Sequence, residues 1–270
     1  MNSFKLVLAL RKIFNQKKVG FAGTLDPLAS GLMILALGEY TKLLHFLEKK
    51  DKTYVVTVEF GKISDTFDLE GNIEEIKMLK EKIPNLVKIK KLLKEKFSGE
   101  IEQIPPCFSA IKIGGERAYK LARSGRKVII PKRKTQIYDL EILEYKYPLL
   151  VLKVHCSSGT YIRSLVNDLG RELGIGGLVN QLRRISIDSW DVKNSLKLEE
   201  IKVDNLIKAV KFLKNFDVLE LTESQYKILE QGNFIQTKIR KFHEPFLGYF
   251  NNKLVGILEL TKDGKELKFK

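Results

Sequence analysis

Cysteine is scarce in this chain of 270 residues: Cys107 and Cys156 are the only two, they lie far apart, and they form no CxxC pair. A disulfide framework or a thiolate zinc site is therefore not indicated, and both read as buried small hydrophobes in a reducing compartment. Histidine is equally sparse. His45, His155 and His243 are scattered, so no metal-ligand spacing appears and no metal is expected. Long apolar runs are missing too, and none approaches the ~20 residues that span a bilayer. No GxxxxGK[ST] phosphate loop occurs, and GIGG at Gly174 to Gly177 is too short to count as one. The opening segment, MNSFKLVLALRKIF, has a short apolar stretch interrupted by Lys5, runs into Arg11 and Lys12, and lacks a small-residue cleavage site. It reads as an amphipathic helix with Phe4, Val7, Leu8 and Phe14 near one face, not as a signal peptide. A soluble cytoplasmic protein is expected.

Lysine is what the chain has in excess. Lys and Arg total 48 against 33 Asp and Glu, a formal charge of +15. Such a surplus favours a polyanionic partner, usually nucleic acid, although a Lys-rich surface alone gives the same count. Hydrophobic residues at 44% are enough for a packed core. Strand and helix signals interleave. MILALG reads as a buried strand, Thr41 to Lys50 as a helix bearing Leu43, Leu44 and Leu47, and KTYVVTVEFG as a strand. A helix is expected near Val87 to Phe97, stopped by Ile104-Pro105-Pro106. FSAIKIGG reads as a short strand and turn, Glu116 to Arg123 as a helix, and Thr135 to Tyr145 and Leu149 to Cys156 as strands. In SSGTYIRSLVNDLGRELG, Ile162, Leu165, Val166 and Leu169 form one buried helical face, with Gly170 and Gly174 loosening and ending it. A further helix is expected from Leu198 to about Leu213. The tail then changes character: a strand at Asp217 to Leu221, a Thr222–Gln225 capping box, and the strands FLGYF, KLVGILEL and ELKFK. The pattern argues for an α+β fold with many antiparallel strands. A boundary near residue 215 divides it into 1–215 and 216–270.

Three local features carry candidate chemistry. In GTLDPLASGL, Asp26 stands on a turn stiffened by Pro27 and flanked by Gly23 and Gly31, which also describes an ordinary Asp-Pro turn. In SSGTYIR, Arg163 falls in the first turn of a helix beside buried Ile162, a place where arginine usually has an acidic partner. In DKTYVV, Tyr54 begins a strand among Lys49, Lys50 and Lys52, although a tyrosine there is more commonly a core or sheet-surface aromatic.

Taken in order, KKVGFAGTLDPLASGLMILALGEYTK, DKTYVVTVEFGKISDTFDLEG, IEQIPPCFSAIKIGGERAYKLARSG, VHCSSGTYIRSLVNDLGRELG and QLRRISI resemble the TruB-type tRNA pseudouridine-55 synthases across most of residues 2 to 187. The tail resembles the small RNA-binding PUA domain. The resemblance implies the pseudouridine synthase fold, a mixed, largely antiparallel sheet with flanking helices, plus a small β-rich PUA-like domain. It implies that Asp26 is the catalytic carboxylate, that Arg163 pairs with it, and that Tyr54 stacks on the target base, with a subsidiary role as base for the C5 proton. Tyr161 and Leu182 would line the base pocket. It implies tRNA, through its T-arm stem-loop, as partner, no cofactor, no obligatory protein partner, and a monomer. The chemistry agrees. Moving C1′ of the sugar from N1 to C5 of uracil involves no net redox change and needs no metal or nucleotide energy. A neighbouring cation favours an ionised carboxylate, a flipped base can stack on an aromatic ring, and a basic cleft binds phosphates in a salt-dependent way.

Two features depart from the family. GFAG replaces the usual GHTG, so Phe21 stands where a histidine enters the T-loop; it can stack there but cannot hydrogen-bond. Asn2-Ser3-Phe4 aligns with what normally follows an upstream strand carrying Lys-Pro-x-Gly. Three alternatives stand beside this reading. One is a guide-RNA-dependent relative, which GGERAYKLARSG disfavours. Another is a tRNA-binding folding chaperone without catalysis, and the third is a generic basic RNA-binding protein.

Overall fold

The computed structural model describes residues 3–77, 79–125, 129–207, 217–237, 246–261 and 264–269. These form two compact units. One comprises Met1–Thr24, Met33–Leu47 and Leu196–Lys270; the other comprises Leu25–Leu32 and Glu48–Ser195.

The second unit is built on a seven-stranded sheet. Its order is Trp190–Asp191, Gly177–Ile187, Lys52–Phe60, Leu149–Cys156, Arg133–Lys146 and Gly99–Gln103, and Ser30–Gly31 adds to the Gly177–Ile187 strand. All pairings are antiparallel except that last one, which is parallel. Period-two alternation explains why these segments are strands. Val56, Val58 and Phe60 point one way along their strand, and Leu150, Leu152, Val154 and Cys156 do the same on theirs; all are buried. Register places Val56 between Leu152 and Leu182. Two helices cover this face. Ile162–Leu173 buries Ile162, Leu165, Val166 and Leu169, and Leu86–Lys96 buries Ile89 and Leu93 in the same core. Each such side chain contributes about 1.5–3 kcal/mol on burial. The Leu86 helix starts at Asn85, whose side chain accepts a hydrogen bond from the Lys88 amide at 2.9 Å.

Two expectations in this unit change. The Leu86–Lys96 helix ends at Phe97, before Gly99 with φ +83°. The strand Gly99–Gln103 intervenes, so Pro105 and Pro106 follow a strand and not a helix. Gly170 does not loosen its helix. A Cβ there would lie 2.3 Å from the Gly176 carbonyl carbon, so this glycine lets the helix backbone pack directly on the start of the Gly177 strand. Gly174, at φ +71°, ends the helix as expected.

In the first unit, Val19–Phe21 pairs with Leu35–Leu37. MILALG is thus a three-residue, half-buried strand and not a fully buried one. The helix Ser3–Ile13 buries Ser3, Val7 and Leu10, while Phe4 and Leu8 are largely exposed. The buried stripe within the helix is therefore one position away from the expected face; Val7 is common to both, and Phe14, just past the helix, packs half-buried on the same cluster as expected. Leu43, Leu44 and Leu47 are buried on a 3-10 turn, Gly38–Leu43, continued by the helix Leu44–Glu48. The expected helix after Leu198 is instead two 3-10 turns, Leu198–Glu200 and Val203–Asn205. Its remainder from 208 lies outside the described residues.

The tail forms a five-stranded sheet, ordered Asp217–Glu220, Phe246–Phe250, Lys253–Leu260, Glu266–Phe269 and Ile235–Gln236. Leu221, Leu229, Phe246, Leu258 and Leu267 make its core. Thr222 and Gln225 close the expected capping box on the helix Glu223–Glu230. No helix among the described residues is long and apolar enough to cross a membrane.

Candidate active site

The segment Leu25–Leu32 carries Asp26 over the sheet of the second unit. Pro27 fixes the start of the turn, and the Asp26 carbonyl accepts from the Ala29 amide at 2.9 Å. Leu28 and Ala29 pack on the core. The segment then docks as a strand. Ser30 and Gly31 pair with Arg183 and Arg184, and the Leu32 amide donates to the Arg184 carbonyl at 2.8 Å. Gly31 is needed here. Its φ is +106°, and a Cβ would sit 2.2 Å from the Arg184 carbonyl oxygen.

Arg163 meets Asp26 from the first turn of its helix, where the sequence places it. Its Nε donates to Asp26 Oδ2 and its Nη2 to Asp26 Oδ1, both at 2.9 Å, a fork matched to a carboxylate. Two more of its donors are satisfied: Nη1 donates to the Thr66 carbonyl and Nη2 to the Phe108 carbonyl, each at 3.1 Å. A second carboxylate, Asp68 Oδ2, lies 3.5 Å from Nη1. Exposure separates the two acids. The Asp26 side chain is 35% exposed, against 5% for Arg163 and 2% for Asp68. Asp68 is pinned by Thr66 Oγ1, which donates to its Oδ1 at 2.6 Å, and by the Glu70 amide at 3.0 Å. One cation is thus held by a buried acid behind it and presents an accessible acid in front.

Tyr54 lies on the Lys52–Phe60 strand, partly buried against the core. Burial pushes its phenol up to about 12, against a downward pull from the nearby Arg184 guanidinium. Tyr161 immediately precedes the Arg163 helix. Its amide donates to Gln103 Oε1 at 3.1 Å, its carbonyl accepts from Gln103 Nε2 at 3.3 Å, and burial raises its phenol. Leu182 is buried on the Gly177–Ile187 strand, and its carbonyl accepts from Ser30 Oγ at 3.5 Å. Asp26, Tyr54, Tyr161, Arg163 and Leu182 all belong to the second unit. Phe21 belongs to the first, half-buried with Val7, Leu10 and Val19 and paired with Leu35. Among the described residues, no three His, Cys, Asp or Glu side chains converge on a metal-sized site.

Sequence reasoning passed over Asp68 and Arg184. Both sit inside quoted motifs, SDTFDLEG and QLRR. Strand alternation from buried Leu182 was the available signal for Arg184, which is 1% exposed while Arg183 is exposed. Asp68 had no such signal. It follows Phe67 at φ +63° and bridges to Val179, so a loop and not a periodic element turns it inward.

Residues 11–162 match the TruB family pseudouridylate synthase N-terminal domain. The chain belongs to the TruB family. It is 37% identical to the tRNA pseudouridine synthase B of Clostridium tetani, over 98% of this chain and 93% of that protein. It is 36% identical to the protein of the same name from Borreliella burgdorferi, over 95% and 90%, and 34% identical to that of Oenococcus oeni, over 98% and 91%. The fold is shared with the archaeal box H/ACA sRNP Nop10-Cbf5 complex at a TM-score of 0.65 and 20% identity, covering 100% of this chain and 81% of that one. A Cbf5-Nop10-Gar1 complex gives 0.62 at 22% identity, covering 100% and 80%. The geometry in this chain is a buried arginine fork with one accessible carboxylate.

Proposed function

We propose that this chain isomerises one uridine of tRNA to pseudouridine, at position 55 in the T-loop, with Asp26 as its catalytic carboxylate. The observation that carries this reading is the bidentate Asp26–Arg163 pair at 2.9 Å, with Asp26 the more exposed partner. The reaction breaks the bond from C1′ to N1, turns the uracil, and forms a bond from C1′ to C5. The C5 proton leaves and N1 takes one up, so atoms and electrons balance without an oxidant. Asp26 supplies an oriented anion next to the sugar or base. Arg163 fixes that anion's two oxygens, and Asp68 fixes Arg163. Tyr54 gives a face for the flipped base, a stack worth about 1–3 kcal/mol against an extrusion cost of a few kcal/mol. With its phenol held up to about 12, Tyr54 is neutral at physiological pH, which favours stacking over proton abstraction. Tyr161 and Leu182 line the pocket, and Phe21 stacks in the T-loop.

The +15 charge suits a phosphate-rich partner in the cytoplasm. Residues 1–215 serve as the catalytic domain, and the five-stranded tail within 216–270 as a PUA-like RNA-binding domain. The chain works on a free tRNA T-arm as a monomer without an obligatory protein partner. The relatives at 34–37% identity, named as tRNA enzymes, support that choice over a guide-dependent assembly.

The test is to incubate the full chain with unmodified tRNA, digest it, and map pseudouridine by mass spectrometry. Conversion at position 55 is expected. Tight tRNA binding with no conversion at any uridine would replace this reading with a tRNA-folding chaperone.

A further inference from the structure

Arg184 is among the largest fully buried side chains of the molecule, and it links two parts of the site. Its Nε donates to the Leu32 carbonyl at 2.9 Å, and its own carbonyl accepts from the Leu32 amide at 2.8 Å. This reciprocal pair closes the end of the segment that carries Asp26. Gly31 lies so close that only hydrogen fits between its Cα and the Arg184 backbone. On its other side Arg184 pairs in register with Tyr54, and its guanidinium is near enough to pull the Tyr54 phenol down against burial. A cation inside a sheet is a costly choice, and Lys52 is a second one near enough to be affected by it. A leucine would fill the space without desolvating a charge. What leucine lacks is a donor for the Leu32 carbonyl, on a rigid planar head that also faces the neighbouring Tyr54.

We propose that Arg184 is a positioning residue for the isomerisation, locking the Asp26 segment and the Tyr54 ring into one geometry without touching the reacting atoms. The proposal rests on the roles given above to Asp26 and Tyr54. Misplacing a reacting group by about 1 Å costs about 10²-fold in rate, so a loosened clamp acts on the chemical step. RNA affinity, spread over many phosphate contacts, stays nearly constant.

The test uses the full chain and a T-arm stem-loop tritiated at uridine C5. Single-turnover release, stem-loop affinity and thermal midpoint are measured for wild type, Arg184→Lys and Arg184→Ala. Arg184→Lys keeps the charge but loses the fork. It is expected to slow release by about 10²-fold while binding the stem-loop within about threefold of wild type. Arg184→Ala is expected to be slower still and to regain part of its rate when millimolar methylguanidinium is added. Wild-type release by Arg184→Lys would overturn the proposal. So would a rate and affinity that fall together with the folded fraction and show no rescue, or failure of both variants to fold, since Arg184 would then be structural. An inactive wild type would instead overturn the functional reading itself, which separates the two failures.

Discussion

Arg163 faces two carboxylates, the accessible Asp26 and the buried Asp68. The two acids differ in what reaches them. Asp26 is open to a substrate, whereas Asp68 is enclosed by Thr66, Glu70 and Arg163. Asp68→Asn keeps the shape and removes one charge behind the guanidinium. Because Asp26 still pairs with Arg163, the stability loss should be about 1–3 kcal/mol, not the ~3–5 kcal/mol of a fully orphaned buried charge. Single-turnover release should fall about tenfold or more as the fork loosens, with stem-loop affinity unchanged. Calorimetry and tritium release check both parts, and an unchanged rate would remove Asp68 from the account. At this scale the sequence singled out Asp26, Arg163 and Tyr54 because each stands in a long ordered resemblance, and the structure pairs the first two. It did not show Asp68, whose inward direction depends on one left-handed loop residue, Phe67. Arg184 was legible in principle, two residues along a strand from buried Leu182, but an arginine in a basic chain reads first as surface.

The element that places Asp26 is a two-residue strand, Ser30–Gly31, tied in parallel to Arg183–Arg184. It is too short to hold its own conformation and depends on register. Gly31→Ala combines an unfavourable φ of +106° with a Cβ at 2.2 Å from backbone, where no side chain can give way. The strand should detach locally, costing more than about 1 kcal/mol and abolishing measurable tritium release. Hydrogen exchange should show lost protection at Leu32, whose amide bonds Arg184, and retained protection in the Leu149–Cys156 strand. Full activity in Gly31→Ala would contradict this docking. Sequence pattern located the long elements well. Leu149–Cys156 has the expected bounds because its alternation is strict, and Ile162–Leu173 has its expected apolar stripe. Short elements failed where one or two residues decide the outcome. Leu35–Leu37 is half-buried because its one partner strand has only three residues, and Leu198–Asn205 winds into 3-10 turns held by local side-chain contacts.

Across the whole molecule, alkaline pH tests the packing of the central sheet. Burial pushes the Cys156 thiol up to about 12 from an ordinary 9.0, and the Tyr54 phenol up to about 12 from 10.0. The unfolded chain loses these protons first, so their stabilisation is complete below pH 9 and is lost as pH rises toward 12. Lys52 works in the opposite sense. Burial lowers its ammonium to about 8 from 10.5, so it adds stability between those values. The urea midpoint should therefore stay nearly level from about pH 8 to 10 and fall steeply above about 10.5. Cys156→Ala should make that fall shallower; an equally steep fall in the variant would show that the thiol is not part of it.

The central claim is that Asp26 performs the chemistry and leaves RNA binding to the rest of the chain. Asp26→Asn preserves size while removing the anion, and leaves one oxygen to accept from Arg163. The decisive measurement is single-turnover tritium release from a C5-labelled T-arm stem-loop, with stem-loop affinity measured in parallel. Wild type should release tritium, and Asp26→Asn should be slower by at least about 10³-fold, about 4 kcal/mol in the barrier, while binding within about threefold of wild type. Comparable release from the two proteins would contradict the account and move the catalytic group elsewhere in the site.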